Sequence, residues 1–115
     1  MSVTHIDLPE EFNVAAWFVD RNLEQGRGER VAIEYGPERV TYREVFERVN
    51  RLANALRQSL GVRREERVAL LLHDTPDFAY GFFGAIRMGA VAVPLNTLLK
   101  PHDYEHLLND CRARV

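Results

Sequence analysis

The chain has 115 residues, 46% of them hydrophobic, with 15 basic and 17 acidic residues and a formal net charge of −2. This length suits one modest core rather than two, and the mixed charges form no basic stripe that would bind nucleic acid or anionic lipid. With a single cysteine, Cys111, no signal-peptide pattern and no apolar stretch of membrane-spanning length, we expect a cytoplasmic protein without an internal disulfide.

The first 25 residues are predicted to form an extended arm, over residues 1–12, and then a helix. Asn13 is a candidate N-cap of that helix because its side-chain oxygen can accept a hydrogen bond from a free backbone N–H. Gly26 and Gly28 are expected to end the helix. Three apolar residues are expected to form its core-facing side: Val14, Trp17 and Phe18.

A β-hairpin and a long helix are predicted next. Residues 30–35 and 39–41 favour two antiparallel strands around a Gly-Pro turn. Thr41 and Glu44 match a capping box, in which each side chain binds the other residue's backbone N–H at the start of a helix over residues 42–60. Gly61 ends that helix. Its apolar side is Val45, Val49, Leu52, Leu56 and Leu60, and its expected solvent-side ion pairs are Glu44–Arg48 and Glu47–Arg51.

The second half of the chain is typical of a parallel α/β unit. Residues 67–72 and 90–94 are apolar runs without alternation, which suits strands covered on both faces. Helices are predicted from Pro76 to Gly89 and from Pro101 to about residue 110, and residues 111–115 resemble the start of another strand. The predicted fold class is α/β, a partial three-layer parallel sheet preceded by a short hairpin.

The helix that begins at Pro76 has apolar residues on several sides, which predicts that it is sandwiched between other elements. Gly81 and Gly84 would allow a neighbouring backbone or side chain to approach it closely. The residues that leave this helix little polar surface are Phe78, Ala79, Phe82, Phe83 and Ile86.

One motif has the spacing of a metal site. Residues 102–106 fit H-x-x-E-H, and two histidines four residues apart on a helix can share a zinc ion. However, Tyr104, Leu107 and Cys111 lie on the apolar side of this helix, so His102 and His106 are predicted to face solvent. We therefore expect a solvated helix face rather than a small zinc hydrolase.

Other candidate sites have simpler structural explanations. Residues 73–75, His-Asp-Thr, follow a buried strand where α/β sheets bind ligands, but Asp74 or Thr75 acting as a helix cap accounts for the pattern. Gly26 and Gly28 precede a strand instead of following one, so they do not form a dinucleotide loop. Cys111 has no evident partner base and is interpreted as a small core residue, and Lys100, the one lysine, is expected to be solvated in the loop before Pro101.

Three segments carry a resemblance to a known family. ERVTYREV at residues 38–45, RVALLL with TPDF at residues 67–78, and GAIRMGAVAVPLN at residues 84–96 are similar to stretches of AMP-forming acyl-CoA synthetases, the adenylate-forming superfamily. Within it, residues 12–15, 72–77 and 96–104 look most like benzoate–CoA ligases and related aryl-acid ligases. The resemblance covers nearly the whole chain but only the start of a much longer family chain.

The resemblance implies a parent enzyme that uses ATP, Mg²⁺ and coenzyme A to convert a small carboxylic acid, benzoate or a related aryl acid, first to acyl-AMP and then to acyl-CoA. The family's phosphate loop, nucleotide contacts and C-terminal catalytic lysine have no counterpart here. We therefore assign no catalytic, cofactor-binding or metal-binding residue to this chain, and we interpret residues 1–115 as the N-terminal scaffold of the AMP-binding domain, inactive alone.

A free-standing, non-catalytic α/β binding module is the alternative. Such a module would be a cooperatively folded monomer without exposed apolar surface. For a scaffold portion of a larger domain we expect the opposite, with unpaired sheet edges and uncovered apolar faces.

Overall fold

A computed structural model describes residues 4–115, so the first three residues of the predicted arm lie outside the described residues. The described part of the arm has no regular secondary structure. Helix α1 follows, as a π-helical segment, Ala16–Asp20, that continues into an α-helical segment, Arg21–Glu24. Asn13 caps it as predicted, because its Oδ1 accepts a hydrogen bond from the Ala15 N–H at 2.9 Å.

The buried side of α1 differs from the prediction. Trp17 and Phe18 are 49% and 59% exposed, whereas Ala15 and Val19 are almost fully buried. The helix therefore packs through its smaller residues, and the expectation that Trp17 and Phe18 face the core is wrong. The close approach of α1 to its neighbours requires short side chains at the contact, and hydrophobicity alone did not indicate them.

The hairpin and the long helix form as predicted. Strands β1, Val31–Tyr35, and β2, Glu38–Thr41, pair antiparallel. Helix α2 is α-helical over Tyr42–Asn54 and ends in a π-helical segment, Ala55–Ser59.

Both halves of the capping box at the start of α2 are present. The Glu44 N–H donates to the Thr41 Oγ1 at 3.2 Å, and the Thr41 N–H donates to the Glu44 Oε2 at 2.8 Å. The ion pairs expected along the exposed side of α2 are wrong, since within residues 4–115 neither Arg48 nor Arg51 has a carboxylate within 4.0 Å.

Helix α3, Pro76–Arg87, lies against α2. Its buried residues are Pro76, Tyr80, Gly81, Gly84 and Ala85, while Phe82 and Phe83 are half-buried. The predicted close approach at the glycines is confirmed, because a Cβ at Gly84 would lie 3.2 Å from the Leu52 Cβ of α2. Two small residues thus bring the helices together where large ones could not fit.

The second sheet is parallel, as predicted. Strand β3, Arg67–Leu70, pairs in register with β4, Val91–Pro94. On its other side, Ala113 forms a parallel bridge with Arg67, and the Ala69 N–H donates to the Val115 carbonyl at 2.8 Å. Residues 113–115 therefore pair with β3 through an isolated parallel bridge, and β3 lies between two parallel neighbours. The prediction of a parallel α/β unit with a separate hairpin is confirmed.

Helix α4, Pro101–Cys111, joins β4 to these last residues and ends at Arg112, which has a left-handed backbone. The core has two clusters of buried apolar residues, one where α1, the hairpin, α2 and α3 meet and one where α2 and α3 meet the parallel sheet. No helix among residues 4–115 combines the length and the apolar character that crossing a membrane requires.

Candidate functional site

The carboxyl edge of the parallel sheet, where α/β proteins bind ligands, is held by backbone contacts. β3 and β4 end side by side, and the Leu95 N–H donates to the Leu70 carbonyl at 2.9 Å. His73 and Asp74 follow β3 and are exposed. Thr75 occupies the N-cap position of α3, but its side chain makes no capping bond. The Phe78 N–H instead donates to the Thr75 backbone carbonyl at 3.0 Å, so the predicted side-chain cap is wrong.

The loop between β4 and α4 is organised by Tyr104. The Tyr104 hydroxyl donates to the Asn96 carbonyl at 2.7 Å and accepts the Leu99 N–H at 3.1 Å. The Asn96 side chain accepts the Leu98 N–H at 2.9 Å. These bonds hold the backbone of the loop against the Tyr104 side chain of α4, so the loop is fixed in position between β4 and α4.

The H-x-x-E-H segment lies on the exposed side of α4, as predicted. The His102 side chain is 74% exposed, with its Nε2 3.3 Å from the Asp103 Oδ1, and His106 is exposed as well. Among residues 4–115, no group of three or more His, Cys, Asp and Glu side chains is placed to hold a metal ion. A zinc site would need at least one further protein ligand near the two histidines.

One of the two glycines that follow α1, Gly28, lies beside an arginine of this chain. Gly26, with φ +77°, ends the helix as predicted, and the Arg43 N–H donates to the Gly28 carbonyl at 2.9 Å. The Arg43 guanidinium fills the space beside Gly28 and binds Glu29, with Nε 2.7 Å from Oε1. This hydrogen bond, with the charge of Glu29, raises the pKa of Arg43. Gly28 is therefore a structural contact between the end of α1 and the start of α2.

Cys111 and Lys100 remain unremarkable as reactive groups. Cys111 is half-buried, with its Sγ 3.8 Å from the Leu108 carbonyl of the preceding turn. Lys100 is exposed and precedes α4, where its backbone N–H donates to the Asp103 carboxylate at 3.1 Å. Among residues 4–115, neither Cys111 nor Lys100 belongs to an ion pair or to a group of metal-ligating side chains.

A bidentate ion pair joins α1 to the end of α3. Asp20 and Arg87 form a bidentate ion pair in which their side chains are 23% and 22% exposed. The Asn13 Nδ2 donates to the Ile86 carbonyl at 2.9 Å, close to the same helix end. Sequence reasoning missed both links, because the residues that form them are more than 60 positions apart in the chain.

Two open cavities are lined mostly by apolar residues. One, of about 810 Å³, lies between the N-terminal arm and α1 and includes Phe12, Trp17 and Phe18. The other, of about 620 Å³, lies between α2, α3 and β3. We call the second cavity the leucine groove, and it is lined chiefly by Leu52, Leu56, Leu60, Leu70, Leu72 and Val115.

Tyr80 lies between the leucine groove and the core and is 6% exposed. Burial raises the pKa of its hydroxyl, and the Arg48 guanidinium, 5.4 Å from the ring centre, partly opposes this rise. The hydroxyl has no hydrogen-bond partner among the described residues. A buried hydroxyl without a partner costs stability, so the ring supplies the packing at this position.

Comparisons with known proteins give the family of the chain. A family model described as "AMP-binding enzyme" matches residues 19–115. The benzoate–CoA ligase of Thauera aromatica is 42% identical over 110 residues, which are 96% of this chain and 21% of that protein. The 4-hydroxybenzoate–CoA/benzoate–CoA ligase of Rhodopseudomonas palustris is 45% identical over 105 residues, 91% of this chain and 19% of that protein.

Solved structures agree with these matches. An anthranilate CoA ligase crystallised with anthranoyl-AMP superposes with a TM-score of 0.85 and 42% identity, over 92% of this chain and 20% of that one. A benzoate CoA ligase from Burkholderia xenovorans LB400 gives a TM-score of 0.83 and 40% identity, over 90% of this chain and 20% of that one.

The chain therefore belongs to the AMP-binding enzyme family, the adenylate-forming group that its sequence resembles. It spans about a fifth of the length of the curated relatives that it matches.

Proposed function

We propose that this chain is the N-terminal scaffold of the AMP-binding domain of an ATP-dependent acid–CoA ligase. The observation that carries the proposal is the 42% identity to the Thauera aromatica benzoate–CoA ligase across 96% of the chain. The proposed overall reaction joins a carboxylic acid to coenzyme A as a thioester and converts ATP to AMP and pyrophosphate. ATP and coenzyme A are cytoplasmic compounds, which supports a cytoplasmic location.

The role proposed for the chain itself is structural support of the rest of the enzyme. Residues 4–115 do not fit an ATP–Mg²⁺ site, because no group of three or more metal-ligating side chains lies together among them and the Arg43 guanidinium occupies the space beside Gly28. We therefore propose that residues 4–115 supply no reacting group to the chemical steps. The packed α2–α3 pair and the parallel sheet are proposed to support the elements that bind nucleotide, since catalysis by positioning needs a rigid framework.

We propose benzoate or a related aryl acid as the substrate. The support is that four of the relatives, at 38–45% identity, are named as ligases of benzoate or hydroxybenzoates and match at least 90% of the chain. The Mycobacterium tuberculosis protein named as long-chain-fatty-acid–CoA ligase FadD13 matches at 39% identity over only 67% of the chain.

The scaffold role is tested with a chimera in which this chain replaces the matched segment of the Thauera aromatica benzoate–CoA ligase. The chimera should catalyse benzoate-dependent exchange between ATP and pyrophosphate. A chimera that folds but has no activity would contradict the scaffold role, and the unmodified ligase serves as the positive control.

The substrate is tested separately, with the polypeptide that the gene containing this sequence encodes. A panel of benzoate, hydroxybenzoates, coumarate and fatty acids should support ATP–pyrophosphate exchange with the aryl acids. Exchange with fatty acids alone would contradict the aryl assignment and leave the ligase assignment in place.

A further inference from the structure

The leucine groove is open although its lining is that of a protein core. Leu60 and Leu72 are 48% and 37% exposed, and both lie at the rim. The floor consists of Leu56, Val68 and Leu70, which belong to the buried cluster beneath the parallel sheet. An exposed apolar surface that continues directly into a core is typical of a surface that another segment covers.

Charged side chains at the rim give the leucine groove a net positive charge. Arg48 and Arg51 project from α2, and Asp77 of α3 lies on the other side. The Arg48 guanidinium rests over the Tyr80 ring at 5.4 Å, and within residues 4–115 neither arginine has a carboxylate within 4.0 Å. With two cations against one anion, the rim complements a segment that carries at least one carboxylate.

The end of the described chain adjoins the groove. Val115 lines it, and the Val115 carbonyl accepts the Ala69 N–H of β3 at 2.8 Å. The curated relatives contain far more polypeptide, since the matched region is 21% of the Thauera aromatica ligase. In such a chain, the polypeptide that follows position 115 begins beside an uncovered apolar surface.

We infer that the leucine groove is the docking surface for an apolar segment, bearing a carboxylate that faces Arg48 and Arg51, from the additional polypeptide of longer AMP-binding enzymes. The inference rests on the proposed function and specifies which surface of the scaffold contacts the additional polypeptide. The 810 Å³ cavity beside the arm is not part of this surface, because none of the residues that line it lines the groove.

The test measures how fast a thiol reagent labels cysteines placed in and beside the groove. Leu60→Cys and Leu72→Cys report on the rim, and Gln58→Cys is a matched control on an exposed turn of α2 outside the lining. Each variant is compared in the 115-residue chain and in the chimera, with labelling followed at the individual peptide by mass spectrometry.

In the chimera, Leu60→Cys and Leu72→Cys should react at least about tenfold more slowly than in the 115-residue chain, while Gln58→Cys changes by less than about twofold. Equal labelling of the two rim positions in both proteins would overturn the inference. A control slowed as much as the rim positions would overturn it too, because the covered surface would not be the groove.

Ligase activity separates this result from the proposed function. An active chimera with unprotected rim cysteines contradicts the docking surface and leaves the scaffold role intact. An inactive chimera with protected rim cysteines supports the docking surface and contradicts the scaffold role.

Discussion

Gly84 of α3 packs directly on Leu52 of α2, so closely that a Cβ at Gly84 would lie 3.2 to 3.3 Å from the Leu52 Cβ, Cγ and Cδ2 atoms. Gly81 has a similar relation to Leu70 of β3, with a Cβ-to-Cδ2 distance of 3.1 Å. These two glycines set the separation of α3 from α2 and from the sheet. The scaffold therefore depends on residues without side chains at the contact.

Gly84→Val is predicted to lower the free energy of unfolding by about 2–3 kcal/mol, because the added methyl groups overpack a contact that has no room for them. Gly84→Ala should change it by no more than about 1 kcal/mol, since the better helix propensity of alanine offsets the crowding of its single methyl group. Urea titration of the 115-residue chain, followed by circular dichroism, measures both. Equal stabilities for the valine and alanine variants would contradict the close packing.

Asn13→Ala is predicted to destabilise the chain by about 1–2 kcal/mol, because it removes the cap on the Ala15 N–H and the bond to the Ile86 carbonyl. Asn13→Asp keeps the capping oxygen and loses the donor, so it separates the two contributions. The same titration should give the aspartate variant an intermediate stability. An alanine variant as stable as the natural chain would exclude both roles.

The Asp20–Arg87 ion pair is predicted to contribute a coupling energy of about 1–2 kcal/mol, because both side chains are less than one-quarter exposed and the pair is bidentate. A double-mutant cycle with Asp20→Ala, Arg87→Ala and the double variant measures it. The exposed pair of Arg39 and Glu34, with Nε 3.7 Å from Oε1, is the control and should couple by less than about 0.5 kcal/mol. Equal coupling in the two cycles would contradict this prediction.

Tyr80 should make stability fall at high pH. Because burial raises the pKa of the folded Tyr80 hydroxyl, the unfolded chain releases this proton first. The contribution is therefore fully present below the ordinary tyrosine pKa of about 10 and is lost as the pH rises through the higher folded value.

Tyr80→Phe is predicted to reduce this decline and, at neutral pH, to leave the free energy of unfolding unchanged or raise it by up to about 1 kcal/mol, because the lost hydroxyl had no partner. Tyr35→Phe, at a tyrosine that is 48% exposed, is the control and should leave the decline in place. Urea titrations at neutral and alkaline pH give both values. A marked loss of stability in Tyr80→Phe at neutral pH would show that the hydroxyl has a partner.

Local signals made several elements predictable. The capping box of Thr41 and Glu44, the stop at Gly61 and Pro76 at the first position of α3 each depend on neighbours within one helical turn. The apolar runs that became β3 and β4 predicted a parallel pair, because such runs are typical of parallel strands. The covering of both faces is not observed, since β4 has no buried residue and Val91 is 47% exposed.

The buried faces of α1 and α3 were less predictable, for a physical reason. Both helices have more apolar residues than one face can hold, so periodicity does not select the side that packs. The contact at Ala15 and Val19, and that at Gly81 and Gly84, follow from how closely the helices approach. The Asp20–Arg87 pair and the leucine groove likewise arise from residues far apart in sequence, which local patterns do not report.

The most direct test of the central claim, that this chain supports catalysis without supplying reacting groups, is benzoate-dependent ATP–pyrophosphate exchange by two purified proteins. We predict exchange by the chimera with the Thauera aromatica ligase and none by the 115-residue chain. Exchange by the 115-residue chain alone would contradict the claim, because the reacting groups would then lie within these residues.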